Sequence, residues 1–163
     1  MTVAYLSLGS NIGNREGNLR EAIARLGEHG QVVAVSSFYE TEPVEFTEQA
    51  WFLNCAVAVK TAEAAEHLMR SLLQIEKEMG RQRIQKKGPR VIDIDILLFD
   101  DLVVGTPELA IPHPAMAMRR FVLEPLAEIA PGVRHPVLDK TTAELLADLA
   151  VGQVVRKLPE VTG

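Results

Sequence analysis

Cysteine is almost absent from this 163-residue chain: Cys55 stands alone, which excludes an internal disulfide and any zinc site built from several thiolates. Its setting, Asn54-Cys55-Ala56-Val57-Ala58-Val59, is that of a small buried hydrophobe. Aromatic residues are scarce, and none interrupts the basic stretch from Arg81 to Arg90, so a groove that tracks a nucleic-acid backbone by stacking bases is not expected. A formal net charge of -5 argues the same way. No apolar run approaches the roughly 20 residues that cross a bilayer, and Met1 to Leu8 lacks the basic segment of a secretory leader. A cytoplasmic protein without membrane or nucleic-acid partners is expected. Repeats, low-complexity tracts and linkers are missing too, so residues 1–163 read as one domain. The loop Gly9-Ser10-Asn11-Ile12-Gly13-Asn14 lies between a strand and a helix, where phosphate loops occur, but lacks the Gly-Lys-Ser/Thr ending; turn and cap chemistry accounts for it better.

What is present in force is a pair of carboxylates in an apolar strand. In Val91-Ile92-Asp93-Ile94-Asp95-Ile96-Leu97-Leu98-Phe99 the side chains alternate faces, so Asp93 and Asp95 point the same way while Ile92, Ile94, Ile96 and Leu98 form an apolar face. At about 3.3 Å rise per residue the two Cα atoms lie roughly 6.6 Å apart, close enough for both carboxylates to converge on one cation cluster. Arg81, Arg83, Lys86, Lys87 and Arg90 precede them. Carboxylates suited to Mg²⁺ beside guanidinium groups suited to anionic oxygens match the needs of polyphosphate chemistry. The plain alternative is a solvated edge strand neutralised by a basic surface loop.

Hydrophobic periodicity predicts a strand over Val3–Leu8, a helix carrying Leu19, Ala22, Ile23 and Leu26, a strand running from Val32 into Tyr39, and a strand over Phe52–Val59. A helix capped by Thr61 follows, with Ala65, Leu68, Leu72, Ile75 and Met79 as its stripe, and then the Asp strand. The order βαββαβ predicts an α+β, ferredoxin-like antiparallel sheet with both helices on one face and the other face free for ligands. A C-terminal extension holds short extended pieces near Val103 and Leu109, a helix from Arg120 to Ile129, and a helix from Thr141 to Leu149 with Thr141 and Glu144 as a capping box.

Several further residues admit two roles each. Glu76 sits beside the apolar stripe of the second helix and either faces solvent or reaches an arginine of the next loop. His113 is stiffened between Pro112 and Pro114, and Arg119-Arg120-Phe121 places cations beside a ring. Phe52 and Asn54 share a strand face and suit a flat heterocycle, although core packing is the commoner role for a residue placed like Phe52.

Taken in order, Leu8-Gly9-Ser10-Asn11, Ser36-Ser37-Phe38-Tyr39-Glu40-Thr41-Glu42-Pro43, Phe52-Leu53-Asn54, Glu76, Gly80-Arg81-Gln82-Arg83, Gly88-Pro89-Arg90 with the Asp strand, and Ile111-Pro112-His113-Pro114 resemble the 6-hydroxymethyl-7,8-dihydropterin pyrophosphokinase family. Nearly the whole chain takes part, and Gly-Pro-Arg-x-x-Asp-x-Asp is the most specific piece. The resemblance implies a Mg-dependent diphosphotransferase of folate biosynthesis that moves pyrophosphate from ATP to the pterin alcohol. It further implies that Asp93 and Asp95 hold two Mg²⁺ ions, and that Arg81, Arg90 and Asp95 are catalytic. Glu76, Arg81, Arg83, Arg90, His113 and Arg119 would bind ATP, and Thr41, Val44, Phe52, Asn54 and Phe121 the pterin. A monomer is expected. Two rivals from other classes are a non-catalytic nucleotide-sensing module on the same fold and a two-metal phosphohydrolase.

Overall fold

The computed structural model describes residues 1–42, 50–80, 91–149 and 154–159. Arg81, Arg83, Arg90 and Val44, together with Lys86 and Lys87, lie outside the described residues. Along the described chain run β1 (Thr2–Ser10), α1 (Arg15–Leu26), β2 (Gln31–Val35), β3 (Tyr39–Thr41), β4 (Phe52–Thr61), α2 (Ala65–Glu78), β5 (Asp93–Phe99), β6 (Val104–Gly105), β7 (Ala110–Ile111), α3 (Arg120–Ile129), α4 (Thr142–Asp148) and β8 (Val155–Lys157).

Six strands form one antiparallel sheet in the order β5-β1-β4-β3-β8, with β2 paired to the later half of β4. The first hundred residues thus have the βαββαβ order and strand arrangement of a ferredoxin-like unit. Period-two alternation decides the packing. Ala4, Leu6 and Leu8 of β1, Leu53, Cys55, Val57 and Val59 of β4, and Ile94 and Ile96 of β5 point to one side. There they meet Leu19, Ala22 and Leu26 of α1 and Leu68, Leu72 and Ile75 of α2. Asn14 starts α1 by accepting the Gly17 N–H. α2 begins instead at Ala64 with no side-chain cap. The expected cap at Thr61 is a correction: its hydroxyl accepts from Glu63 N and donates to the His29 carbonyl, tying the sheet end to the α1–β2 turn.

The opposite face is not wholly free, contrary to expectation. Val122, Leu123 and Leu126 of α3 form a second apolar cluster with Ala56, Leu97 and Leu98 of the sheet, and Leu145 of α4, which packs on α3, joins it. The Thr141–Glu144 capping box is present. Two features of the strands differ as well. The expected Val32-to-Tyr39 strand is broken at residues 36–38, where the Ser36 Oγ donates to the Ser37 carbonyl and accepts from Ala56 N, replacing ladder bonds. β8 is a strand that hydrophobic periodicity does not predict.

Candidate active site

α3, backed by α4, packs on the half of the second face that carries Tyr5, Ala56, Leu97 and Leu98; Gly9, Phe52 and Asp93 lie toward the other ends of the strands. The register there sets a transverse row. Asp93 on β5 is opposite Gly9 on β1, Gly9 opposite Asn54 on β4, and Asn54 opposite Tyr39 on β3. One pleat inward lies Asp95 opposite Ser7, and one outward on β4 lies Phe52 opposite Thr41. With strands about 4.8 Å apart, Asp93 and Asn54 stand roughly 10 Å from each other across Gly9.

Asn54 is buried, and its amide is fixed at both ends. The Thr41 hydroxyl donates to Oδ1, and Nδ2 donates to the Leu8 carbonyl at 3.3 Å. Gly9 makes this possible: a Cβ there would lie 2.6 Å from Asn54 Nδ2 and 3.5 Å from the Phe52 ring. Sequence pattern alone assigns Gly9 to the following loop and misses this role. The available signal is a glycine continuing a strand pattern, which marks close approach of a ligand or another chain segment. The rest of that loop is turn and cap chemistry: Asn18 donates to Ser10 Oγ and to the Ile12 carbonyl.

Tyr39 is locked by α3. Its hydroxyl donates to Glu128, which also accepts from Ser37 N at 2.8 Å and Ser37 Oγ at 3.1 Å. Burial pushes the Tyr39 hydroxyl well above its ordinary range, and the hydrogen bond to Glu128 adds to it. Burial acts against the Glu128 carboxylate, but donation from Tyr39 and Ser37 together with nearby Lys157 leaves its pKa below the ordinary value.

Asp93 and Asp95 are both half-buried on the site face. They are two hard-oxygen donors, and among the described residues no group of three or more acidic, His or Cys side chains is gathered that could hold a metal. That donor set fits an ion such as Mg²⁺, which keeps waters and takes phosphate oxygens, better than one enclosed by protein ligands. His113 approaches the same strand: its backbone N–H donates to the Leu97 carbonyl at 3.0 Å, and its Nδ1 accepts from Ala115 N at 3.1 Å. In the neutral ring the proton therefore sits on Nε2. Burial lowers the His113 pKa, the Arg119 charge lowers it further, and Asp93 opposes both. The Arg119 guanidinium stands 5.5 Å from the centre of the Phe121 ring, which packs against the second apolar cluster.

Glu76 does not face solvent, one of its two expected roles; the loop arginines of the other lie outside the described residues. Only 2% exposed, it accepts the Ile94 N–H at 2.8 Å, so a helix carboxylate fixes the start of the strand that carries the Asp pair. The fold brings Thr41, Phe52, Asn54, Asp93, Asp95, His113, Arg119 and Phe121 to the second face or its margins, and puts Glu76 beneath it on the helix side.

The family model for 7,8-dihydro-6-hydroxymethylpterin-pyrophosphokinase matches residues 5–131. This chain belongs to that family. A relative from Bacillus subtilis, named 2-amino-4-hydroxy-6-hydroxymethyldihydropteridine pyrophosphokinase, is 49% identical over 144 residues, covering 87% of this chain and 84% of its own. A relative of the same name from Methylorubrum extorquens is 44% identical over 151 residues, covering 91% and 94%. The wild-type Plasmodium falciparum HPPK-DHPS crystal structure with pteroate superposes with a TM-score of 0.73 at 20% identity. It covers 90% of this chain, which spans 42% of that longer one; the likeness shows the shared fold.

Proposed function

We propose that this chain transfers pyrophosphate from ATP to the hydroxymethyl group of 6-hydroxymethyl-7,8-dihydropterin, releasing AMP, as the pyrophosphokinase step of folate biosynthesis. The observation that carries this function is the row Asp93–Gly9–Asn54: a paired-carboxylate end and an amide-and-ring end on one half of the second face, roughly 10 Å apart. The heterocycle would stack on Phe52 and hydrogen-bond to Asn54, whose orientation Thr41 fixes. Val44 and Phe121 are the further pterin residues we propose.

The hydroxymethyl oxygen would attack the β-phosphorus in line. The bond from that phosphorus to the bridging oxygen breaks, AMP leaves with its electron pair, and the hydroxyl proton passes to Asp95 or to water. Asp93 and Asp95 would hold two Mg²⁺ ions, which supply charge neutralisation on the phosphate oxygens. His113, with its proton on Nε2, and Arg119 would donate to those oxygens, and Arg81 and Arg90 would act on the transferring group with Arg83 on ATP. Glu76, expected as an ATP residue, is supported first as the group that fixes β5. We further infer one functional unit over residues 1–163, acting as a cytoplasmic monomer without nucleic acid. Among the described residues no helix is long and apolar enough to cross a membrane.

Assaying AMP with and without the pterin alcohol tests this. AMP formation that requires the pterin supports it. Phosphate release without pterin marks a phosphohydrolase, and ATP binding without turnover a sensing module.

A further inference from the structure

β3 is three residues long, yet it supplies Thr41 and Tyr39 to the site. A strand that short is held by its neighbours, not by its own propensity. On one side it pairs with β4, and on the other with β8 near the C-terminus: Tyr39 opposite Lys157, Glu40 opposite Arg156, Thr41 opposite Val155. The pairing extends past both ends. Leu158 N donates to the Phe38 carbonyl at 2.8 Å, Glu42 N donates to the Val154 carbonyl at 3.2 Å, and Val154 N donates to Glu42 Oε1 at 2.7 Å.

The same strand also reaches the far side of the connection between β3 and β4. The Arg156 guanidinium sits 5.2 Å from the centre of the Trp51 ring. Trp51 immediately precedes Phe52, and its carbonyl accepts from Arg15 Nη1 at 2.9 Å, while Arg15 also pairs with Glu40 at 3.1 Å. Val154 and Arg156 therefore hold Glu42 and Trp51, the residues next to Thr41 and Phe52, and Thr41 and Phe52 are themselves opposite each other in the sheet. None of these contacts touches Asp93 or Asp95.

We propose that Arg156, with β8, is a positioning element for the pterin half of the site: it fixes Thr41 and Phe52 through their chain neighbours and has no part in holding nucleotide. This rests on the pterin pocket proposed above. Trp51 is the sole tryptophan of the chain, so its emission reports the Arg156 contact directly.

The test compares wild type with Arg156→Ala, Arg156→Lys, Arg156→Met and Val154→Pro, the last removing the N–H that reaches Glu42. Steady-state kinetics and separate calorimetric titrations with 6-hydroxymethylpterin and with a non-hydrolysable ATP analogue plus Mg²⁺ are read alongside Trp51 emission. Arg156→Ala and Arg156→Met should shift Trp51 emission and raise Kd and KM for the pterin about two- to fivefold, the range of an exposed cation–π contact. kcat and ATP affinity should stay within about twofold of wild type. Arg156→Lys should recover most of the pterin affinity, and Val154→Pro should match Arg156→Ala in direction. Unchanged pterin affinity alongside an altered Trp51 emission overturns the proposal, as does an unaltered emission in Arg156→Ala or an equal loss of both ligands. Wild-type protein that binds the ATP analogue and not the pterin would overturn the pocket and the proposal with it, whereas the other failures leave the pocket standing.

Discussion

Gly9→Ala is the sharpest perturbation the site allows, because it adds one carbon and no charge. The new Cβ would lie 2.6 Å from Asn54 Nδ2, where ordinary contact begins at 3.4 Å, so the amide must move by about 0.8 Å. Its bond to the Leu8 carbonyl is already 3.3 Å long and cannot survive that shift. Asn54 is 4% exposed, so the displaced amide finds no water in exchange. Leaving a buried amide unpaired costs about 1–3 kcal/mol. If binding carries that whole cost, pterin affinity falls by about 5- to 150-fold, at 1.4 kcal/mol per factor of ten. Stability should suffer less, since alanine restricts the unfolded chain and regains about 0.4–1 kcal/mol where the backbone tolerates it. Calorimetric titration with pterin, and separately with an ATP analogue and Mg²⁺, provides the measurement; nucleotide affinity should hold. A double substitution adds a second check. With Asn54→Ala in place there is no amide to strike, so Gly9→Ala should have little further effect, giving a strongly non-additive cycle. Pterin affinity within about twofold of wild type in Gly9→Ala, or additive losses in the double variant, would refute the reasoning.

Asp95→Ala should abolish Mg²⁺-dependent AMP formation while the melting temperature holds or rises, because a like charge is removed beside Asp93; activity near wild type would refute the metal role. Glu76→Ala leaves the Ile94 amide buried without its acceptor, a cost of about 1–3 kcal/mol visible in chemical denaturation, and should weaken Mg²⁺ binding through the loosened start of β5. Glu128 has a lowered folded pKa, so its contribution to stability is complete above the ordinary carboxylate range and disappears as pH falls through the folded value. The melting-temperature gap between wild type and Glu128→Gln should therefore narrow as pH falls from neutrality through the carboxylate range. Cys55, its thiol pushed by burial up to about 12, should react with a thiol reagent at mildly alkaline pH only after denaturant is added.

Elements defined by periodicity are legible in the sequence. The stripes of α1, α2 and α3 and the capping box of α4 mark those helices, and the Asp strand stands out because carboxylates on one face of an apolar run suit a site better than a core. Elements defined by partners are not legible. β8 is three residues, Val155–Lys157, with two of its side chains exposed, and carries no alternation strong enough to announce a strand; it forms because β3 offers it an edge. Glu76 is obscure for a related reason. Its position beside the stripe suggests solvent or a loop arginine, and only the placement of β5 against α2 brings the Ile94 amide to it. Gly9 merges with a turn-rich loop because glycine is a turn signal by default, and its meaning inside a strand depends on what sits opposite.

The half-covered second face explains how the C-terminal third comes to border the candidate site although it lies outside the βαββαβ unit. A bare sheet face would expose Leu97, Leu98 and Ala56 to water; α3 buries them in a cluster that does not include Asp93, Gly9 or Phe52. The apolar contact that anchors α3 thus also sets the boundary of the half that carries Asp93, Gly9 and Phe52. At that boundary α3 reaches back through Glu128 to Tyr39, and the chain leading into it brings His113 and Arg119 beside the Asp strand. Packing that stabilises the sheet and groups that border the Asp strand are therefore supplied by the same segment. Leu126→Ala, in the fully buried core of α3, should cost about 2–5 kcal/mol of stability through the cavity it leaves. It should also raise KM for both ligands at temperatures where the variant is fully folded, because the displaced helix carries the margins of the site with it. If activity per folded molecule is unchanged, α3 covers the sheet without shaping the site.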